Sequence, residues 1–281
     1  MRYALTFEAE PFELPAEAPS DQPCQCAKCR GSSSELEAVE FESGRKPVPR
    51  RRTLGVYPES LEEDASRPVR ANFVTCNRPN AAVAAITGAD PVATIQRANR
   101  RAIELLNTAI DALQTTRNRI VAGAAAGFPT VSDALGQTLQ NRFHLDPNTH
   151  TTWTSTAARS VHVIIRRLCG ARQILADGWM KYTCLGPPTV TLGACQGPGC
   201  PADRPNRRAV ACGGHSQIVL CRAWWSDSLD DQAATLLHEC IHIYFGFITD
   251  AGTFGNAHCY EHLVLDLNGL APQAGFEAAC P

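Results

Sequence analysis

The 281-residue chain has no apolar run of membrane-spanning length, so a helical membrane span is not expected. Its first residues, Met1-Arg2-Tyr3-Ala4-Leu5-Thr6-Phe7-Glu8, lack the apolar core and small-residue cleavage site of a Sec signal peptide, so export by that route is not expected either. An excess of either charge sign is also missing: the formal net charge is −2 and the pI about 6.4. No long-range field then draws the protein to nucleic acid or to an anionic membrane, and neither is an expected partner.

What is plentiful is cysteine. There are thirteen, and the ten from Cys76 onward are scattered without repeated C-x-x-C pairs. An even number so arranged reads as a disulfide framework in an oxidising compartment. Export by a route that does not read an ordinary signal peptide reconciles the disulfides with the missing leader, and a secreted protein is the expectation. A reduced cytosolic protein is the other reading.

The length suits one sizeable domain plus a tail. Residues 1–70 are rich in Glu, Pro, Ser and Arg with few spaced apolar residues, and read as a disordered acidic tail. Phe7-Glu8-Ala9-Glu10-Pro11-Phe12-Glu13 and Phe41-Glu42 are acidic-aromatic patches. They belong to a solvated face or, on a second reading, to a recognition element for a secretion or delivery partner. Cys24, Cys26 and Cys29 make a three-thiol cluster without a fourth ligand, a weak zinc motif. Arg50-Arg51-Arg52 is a processing site or a charged linker.

Residues 71–281 carry the domain. Apolar residues at helical spacing (Ile95, Ala98, Ala102, Leu105, Ala109, Leu113) predict a long helix, with Asp90 as its cap and Pro91 at its first position. A second helix is predicted from Asp133 to Phe143 and a third over 155–176. Single histidines at His144, His150 and His162 read as surface or core residues. Residues 184–214, rich in Gly, Pro and Cys, read as disulfide-tied loops and turns. Gln217-Ile218-Val219-Leu220-Cys221 is the best strand candidate. Ser228-x-x-Asp231 then has the form of a helix start, with Asp230 and Asp231 near the positive end.

That helix carries Thr235-Leu236-Leu237-His238-Glu239-Cys240-Ile241-His242, an H-E-x-x-H arrangement. Residues four apart share one helical face, so His238 and His242 can point two imidazoles at one metal ion, with Glu239 beside them for its water. A surface helix with two histidines and a glutamate needs no metal, but the flanking residues also fit. Cys240 lies well round the helix from both histidines and reads as packed or disulfide-bonded.

The run Ile218-Val219-Leu220-Cys221-Arg222-Ala223-Trp224-Trp225, followed by Asp231-Gln232-Ala233-Ala234-Thr235-Leu236-Leu237-His238-Glu239, resembles the deuterolysin and lysine-specific metallo-endopeptidase family, the aspzincins. That family has an apolar strand ending in Leu-Cys-x-x-aromatic, a short loop, and a helix opening D-x-Q-A-x-T-L-x-H-E. The resemblance is specific over 217–242, looser from Cys76 to the C-terminus, and absent from the first 70 residues. It implies an α+β, predominantly helical zincin-like domain with a small sheet, one catalytic Zn2+ and endopeptidase activity on protein or peptide substrates. It also implies disulfides from Cys76 to Cys184 and from Cys221 to Cys195, Cys200 or Cys212.

Downstream the chain departs from that family. The family's G-T-x-D-x-x-Y-G segment, whose Asp binds zinc and whose Tyr steadies the transition state, corresponds here to a stretch with Asp250 but with Phe254 at the Tyr position. The family's N-A-D-x-x-E-Y-F segment, whose acids recognise lysine, becomes Asn256-Ala257-His258-Cys259-Tyr260-Glu261-His262-Leu263 and arrives early. Imidazole is a good zinc ligand and a poor reader of an ammonium group. The expected third ligand is therefore His258, with Asp250 as the alternative and Glu261, at a gluzincin spacing, behind them. Tyr260 is the expected replacement hydroxyl, Glu261 the expected contact for a basic substrate side chain, and Glu239 the general base. The competing readings are a non-catalytic zincin-like binding module and an exported effector or toxin using the same peptidase site.

Overall fold

The computed structural model describes residues 74–76, 84–85, 88, 90–126, 133–145, 156–178, 180–192, 195–200, 202, 204–212, 215–245 and 248–280. The tail, with its cysteine cluster, acidic-aromatic patches and arginine run, lies outside them, as does His150.

Asp90 starts the longest helix, α1 (Pro91–Ala126). Its carboxylate accepts the Ala93 N–H at 3.1 Å and its carbonyl accepts the Thr94 N–H at 3.0 Å, while Pro91 has no N–H to satisfy. The apolar stripe from Ile95 to Leu113 is fully buried, as the spacing predicts. Helices α2 (Asp133–Phe143) and α3 (Thr156–Asp177) follow close to their predicted bounds. Helix α1 packs on α3 and on α4 (Leu229–Tyr244), and α5 (Ala257–Leu267) lies against α2 and α4. One apolar core runs between these helices and the sheet.

The sheet contains β1 (Val74–Cys76), β2 (Lys181–Cys184), β5 (Ala209–Cys212) and β6 (His215–Leu220), in the order β1-β2-β6-β5. The first three are parallel, and β5 pairs antiparallel with β6 at the edge. A separate two-stranded ribbon joins β3 (Thr189–Leu192) to β4 (Cys195–Pro198). The reading of 184–214 as loops and turns is corrected by β3, β4 and β5. Each is only four residues long, too short to show an alternation, and exists through its partner rather than its own pattern. The fold is thus α+β, and among the described residues no helix is long and apolar enough to cross a membrane.

Disulfides pin the edges. Cys76–Cys184 staples register partners of β1 and β2, Cys200–Cys221 ties the ribbon's exit to the end of β6, and Cys259–Cys280 fastens the C-terminal coil to α5. Cys212 is also disulfide-bonded, while Cys169 and Cys240 are free and buried.

Candidate metal centre

Helix α4 is held at its start by two devices. Ser228 Oγ accepts the Asp231 N–H at 3.2 Å, with Asp230 and Asp231 in the first turn. Upstream, a 3₁₀ turn (Ala223–Ser226) buries Trp224, whose indole N–H donates to the Gln232 carbonyl while the Gln232 amide donates back to the Trp224 carbonyl, both at 3.1 Å. Every residue from Gln232 to Ile241 is buried. The helix therefore presents its histidines from a rigid, dry platform.

The two imidazoles converge as their spacing predicts. His238 Nε2 and His242 Nε2 lie 3.1 Å apart. Asp250 Oδ1 closes the triangle, 3.3 Å from the first and 3.1 Å from the second. Outer partners orient both rings: His242 Nδ1 lies 2.9 Å from the Ile248 carbonyl, and His238 Nδ1 lies 3.0 Å from Glu261 Oε2. A carbonyl and a carboxylate can only accept, so each Nδ1 carries a proton and each Nε2 is turned inward toward Asp250. Two Nε2 atoms and a carboxylate oxygen facing one point repel unless a proton or a metal ion sits among them. At His238 burial works against a charged ring, yet donating to Asp250 and to Glu261 raises its pKa to about 10. Asp250 is likewise held well below the usual carboxylate range: burial opposes this, but the bonds from His238 and His242 outweigh it.

Asp250 reaches this place through an irregular loop. Thr249 N–H donates to the Gly255 carbonyl at 2.7 Å, Ala257 N–H to the Thr249 carbonyl at 2.8 Å, and Gly252 turns the chain with φ +76°. Asn256, fully buried, organises the loop. Its amide donates to the carbonyls of Gly252 (3.1 Å) and Ala279 (2.8 Å), and its side-chain oxygen caps α5 by accepting the His258 N–H at 2.9 Å. Sequence reasoning passed over Asn256, although an Asn before a helix is a cap signal.

The expected third ligand His258 and the alternative Asp250 both stand at the site: one ligand atom of His258 lies within 4.8 Å of those of His238 and Asp250, a group that could hold a metal ion, and its Nδ1 lies 3.1 Å from Glu261 Oε2, the arrangement that also orients His238. One expectation is corrected. Tyr260 does not supply a hydroxyl to the site. It is fully buried, donates to the Phe254 carbonyl at 2.9 Å and accepts from Arg167 Nη1 at 2.5 Å. Glu261 lines the cleft but is buried, and one oxygen lies beside the Nδ1 atoms of both His238 and His258. Burial pushes that carboxyl up, but the two histidine bonds bring it down to about 2.

The triangle lies in a cleft of about 740 Å³, walled by α4, the edge strand β5, the 204–208 segment, and Gln273 and Phe276 of the C-terminal coil. Glu239 and His258 both line it. Burial raises the Glu239 carboxyl above its usual range, with His238, His242 and Arg207 pulling the other way. No family profile matches this chain, and no curated protein sequence matches it. Its functional reading rests on the site itself. His238, Asp250 and His258, with His242 Nε2 beside them, could hold a metal ion, and Glu239 lines the same cleft.

Proposed function

We propose that the chain is a zinc-dependent endopeptidase with a zincin-like domain of the aspzincin kind, working in an oxidising compartment outside the cytosol. The observation that carries this reading is the triangle of His238 Nε2, His242 Nε2 and Asp250 Oδ1, with sides of 3.1 to 3.3 Å. Four ligands around zinc at about 2.0–2.1 Å stand about 3.3 Å from one another, so these atoms suit three corners of a tetrahedron with the fourth left for water or substrate. Disulfides within the domain fit export.

Zinc held there supplies a Lewis acid and a water acidified to near neutrality. The remaining work falls to the chain. Glu239, with its raised pKa, takes the water's proton as the scissile carbonyl is attacked and returns it to the leaving amine. An extended peptide lies along β5, whose edge position leaves room for a further strand. With Phe254 lacking a hydroxyl and Tyr260 sealed in the core, His258 is the cleft-lining group placed to steady the developing oxyanion.

Glu239→Gln is expected to keep one zinc per chain by elemental analysis and to cleave a denatured protein about 10²–10⁴ times more slowly. Undiminished cleavage by that variant defeats the mechanism. A second reading, a zinc-holding module without turnover, draws on the absence of tyrosine among the described residues that line the cleft. It predicts zinc binding with no cleavage by the unaltered chain.

A further inference from the structure

The cleft carries a positive wall that the peptidase chemistry does not use. Arg204-Pro205-Asn206-Arg207 forms a turn closed by the Arg207 N–H to Arg204 carbonyl bond at 3.1 Å, with Pro205 at its second position. The next residue is anchored, because the Arg208 carbonyl accepts the Cys221 N–H at 2.7 Å where β5 begins its pairing with β6. Three guanidinium groups thus line the cleft from a short, fixed segment.

They are not equivalent. Arg208 donates to Asp227 at 2.8 Å and lies over the Phe276 ring at 5.1 Å, so its charge is matched. Arg204 is exposed at the rim. Arg207 is half-buried, and its Nη1 is sealed from solvent with no hydrogen-bond partner among the described residues. A guanidinium partly out of water with no anion in contact among the described residues is costly, and its charge is matched when a ligand brings a carboxylate to the part of Arg207 that lines the cleft. The acids of the cleft are unavailable for this. Asp250 is engaged by His238 and His242, Glu261 by His238 and His258, and Glu239 is the base. Glu239 also feels the Arg207 charge, which puts Arg207 within electrostatic reach of the reacting centre.

We infer that Arg207 is the substrate-anchoring residue of this cleft and receives a substrate carboxylate, either an acidic side chain near the scissile bond or a chain terminus. This deepens the peptidase reading and reverses the preference for basic side chains that Glu261 suggested. The charge of Arg207 suits a carboxylate, and Arg204 at the rim adds attraction for an approaching acidic peptide.

The test uses the full chain loaded with zinc and carrying Glu239→Gln, so that binding is read without turnover. Three fluorescent peptide pools are compared by anisotropy: random sequence around one fixed Glu with an amidated end, the same with Gln, and the Gln pool with a free C-terminal carboxylate. Binding of the Glu pool or of the free-carboxylate pool about tenfold tighter than the amidated Gln pool is expected, and the pool that gains identifies the source of the carboxylate. Arg207→Gln should remove the preference, Arg207→Lys should keep part of it, and Arg208→Gln should leave it unchanged. Equal binding of all three pools, or a preference that survives Arg207→Gln, overturns the inference. So does an Arg207→Gln variant, made in the active chain, that slows acidic and neutral peptides alike through kcat, since Arg207 would then act on the reacting carbonyl. An acid preference in a chain that cleaves nothing supports Arg207 and counts against the peptidase reading alone.

Discussion

Helix α4 and the segment from Ile248 to Glu261 supply the same triangle, yet they are held by different means. The helix places two imidazoles through its regular rise and rotation, on a face buried along its length. The segment places a carboxylate through bonds that cross the chain: Asn256 to Gly252 and Ala279, Thr249 to Gly255, and the Cys259–Cys280 disulfide behind them. Periodicity secures the first half of the site and a contact network secures the second. A ligand on a regular helix can be read from spacing, whereas one on such a loop depends on everything that holds the loop.

The comparison breaks most sharply at the metal. Asp250→Ala should weaken zinc binding by more than about a hundredfold, beyond the effect of losing an outer partner, while His258→Ala keeps the ion; competition with a chelating dye measures both. Zinc retained by Asp250→Ala and lost by His258→Ala would return the third corner to His258. One layer out, Glu261→Gln should cost about 10–100-fold in zinc affinity, because the carboxylate that fixes the His238 tautomer becomes a neutral amide. Asn256→Ala removes three part-buried hydrogen bonds, one of them the cap of α5, and should lower stability by about 2 kcal/mol in a denaturant titration, where a polar surface change on α1 moves it little.

The smallest effect lies one turn along α5 from His258. His262 is fully buried and accepts from Arg142 Nη1 at 3.3 Å; burial first, then the Arg142 and His258 charges, bring its pKa down to about 4. The unfolded chain, with an ordinary pKa of about 6.5, binds a proton there that the folded chain refuses. The resulting stability is complete above about pH 6.5 and is lost as pH falls toward 4. Melting of the zinc-free chain across that window should show a shallower acid loss in His262→Gln than in the parent, and identical slopes would exclude His262 as a source.

Much of the helical half was legible. Asp90 and Pro91 announce α1, its apolar stripe is buried as spaced, and Ser228 caps the helix it was expected to cap. The short strands were not, since β5 and β2 are four residues each and owe their existence to β6 between them. Tyr260 looked like a free hydroxyl because a sequence does not show that Arg167 and the Phe254 carbonyl, distant or near along the chain, already occupy it. Arg207 left no signal: the sequence does not show that the sheet brings this segment to the cleft that Glu239 also lines.

From sequence alone, then, comes the pairing of His238 and His242 with Glu239 beside them, because a helix carries its geometry within itself at 3.6 residues per turn. Tertiary structure alone decided that Asp250 Oδ1 stands in one triangle with the two imidazoles, with a ligand atom of His258 within 4.8 Å, and that Glu261 is buried against the Nδ1 atoms of His238 and His258. Where these side chains come to lie is set by the path of the loop before α5, and that path is fixed by bonds to Ala279 and to the far side of the loop itself.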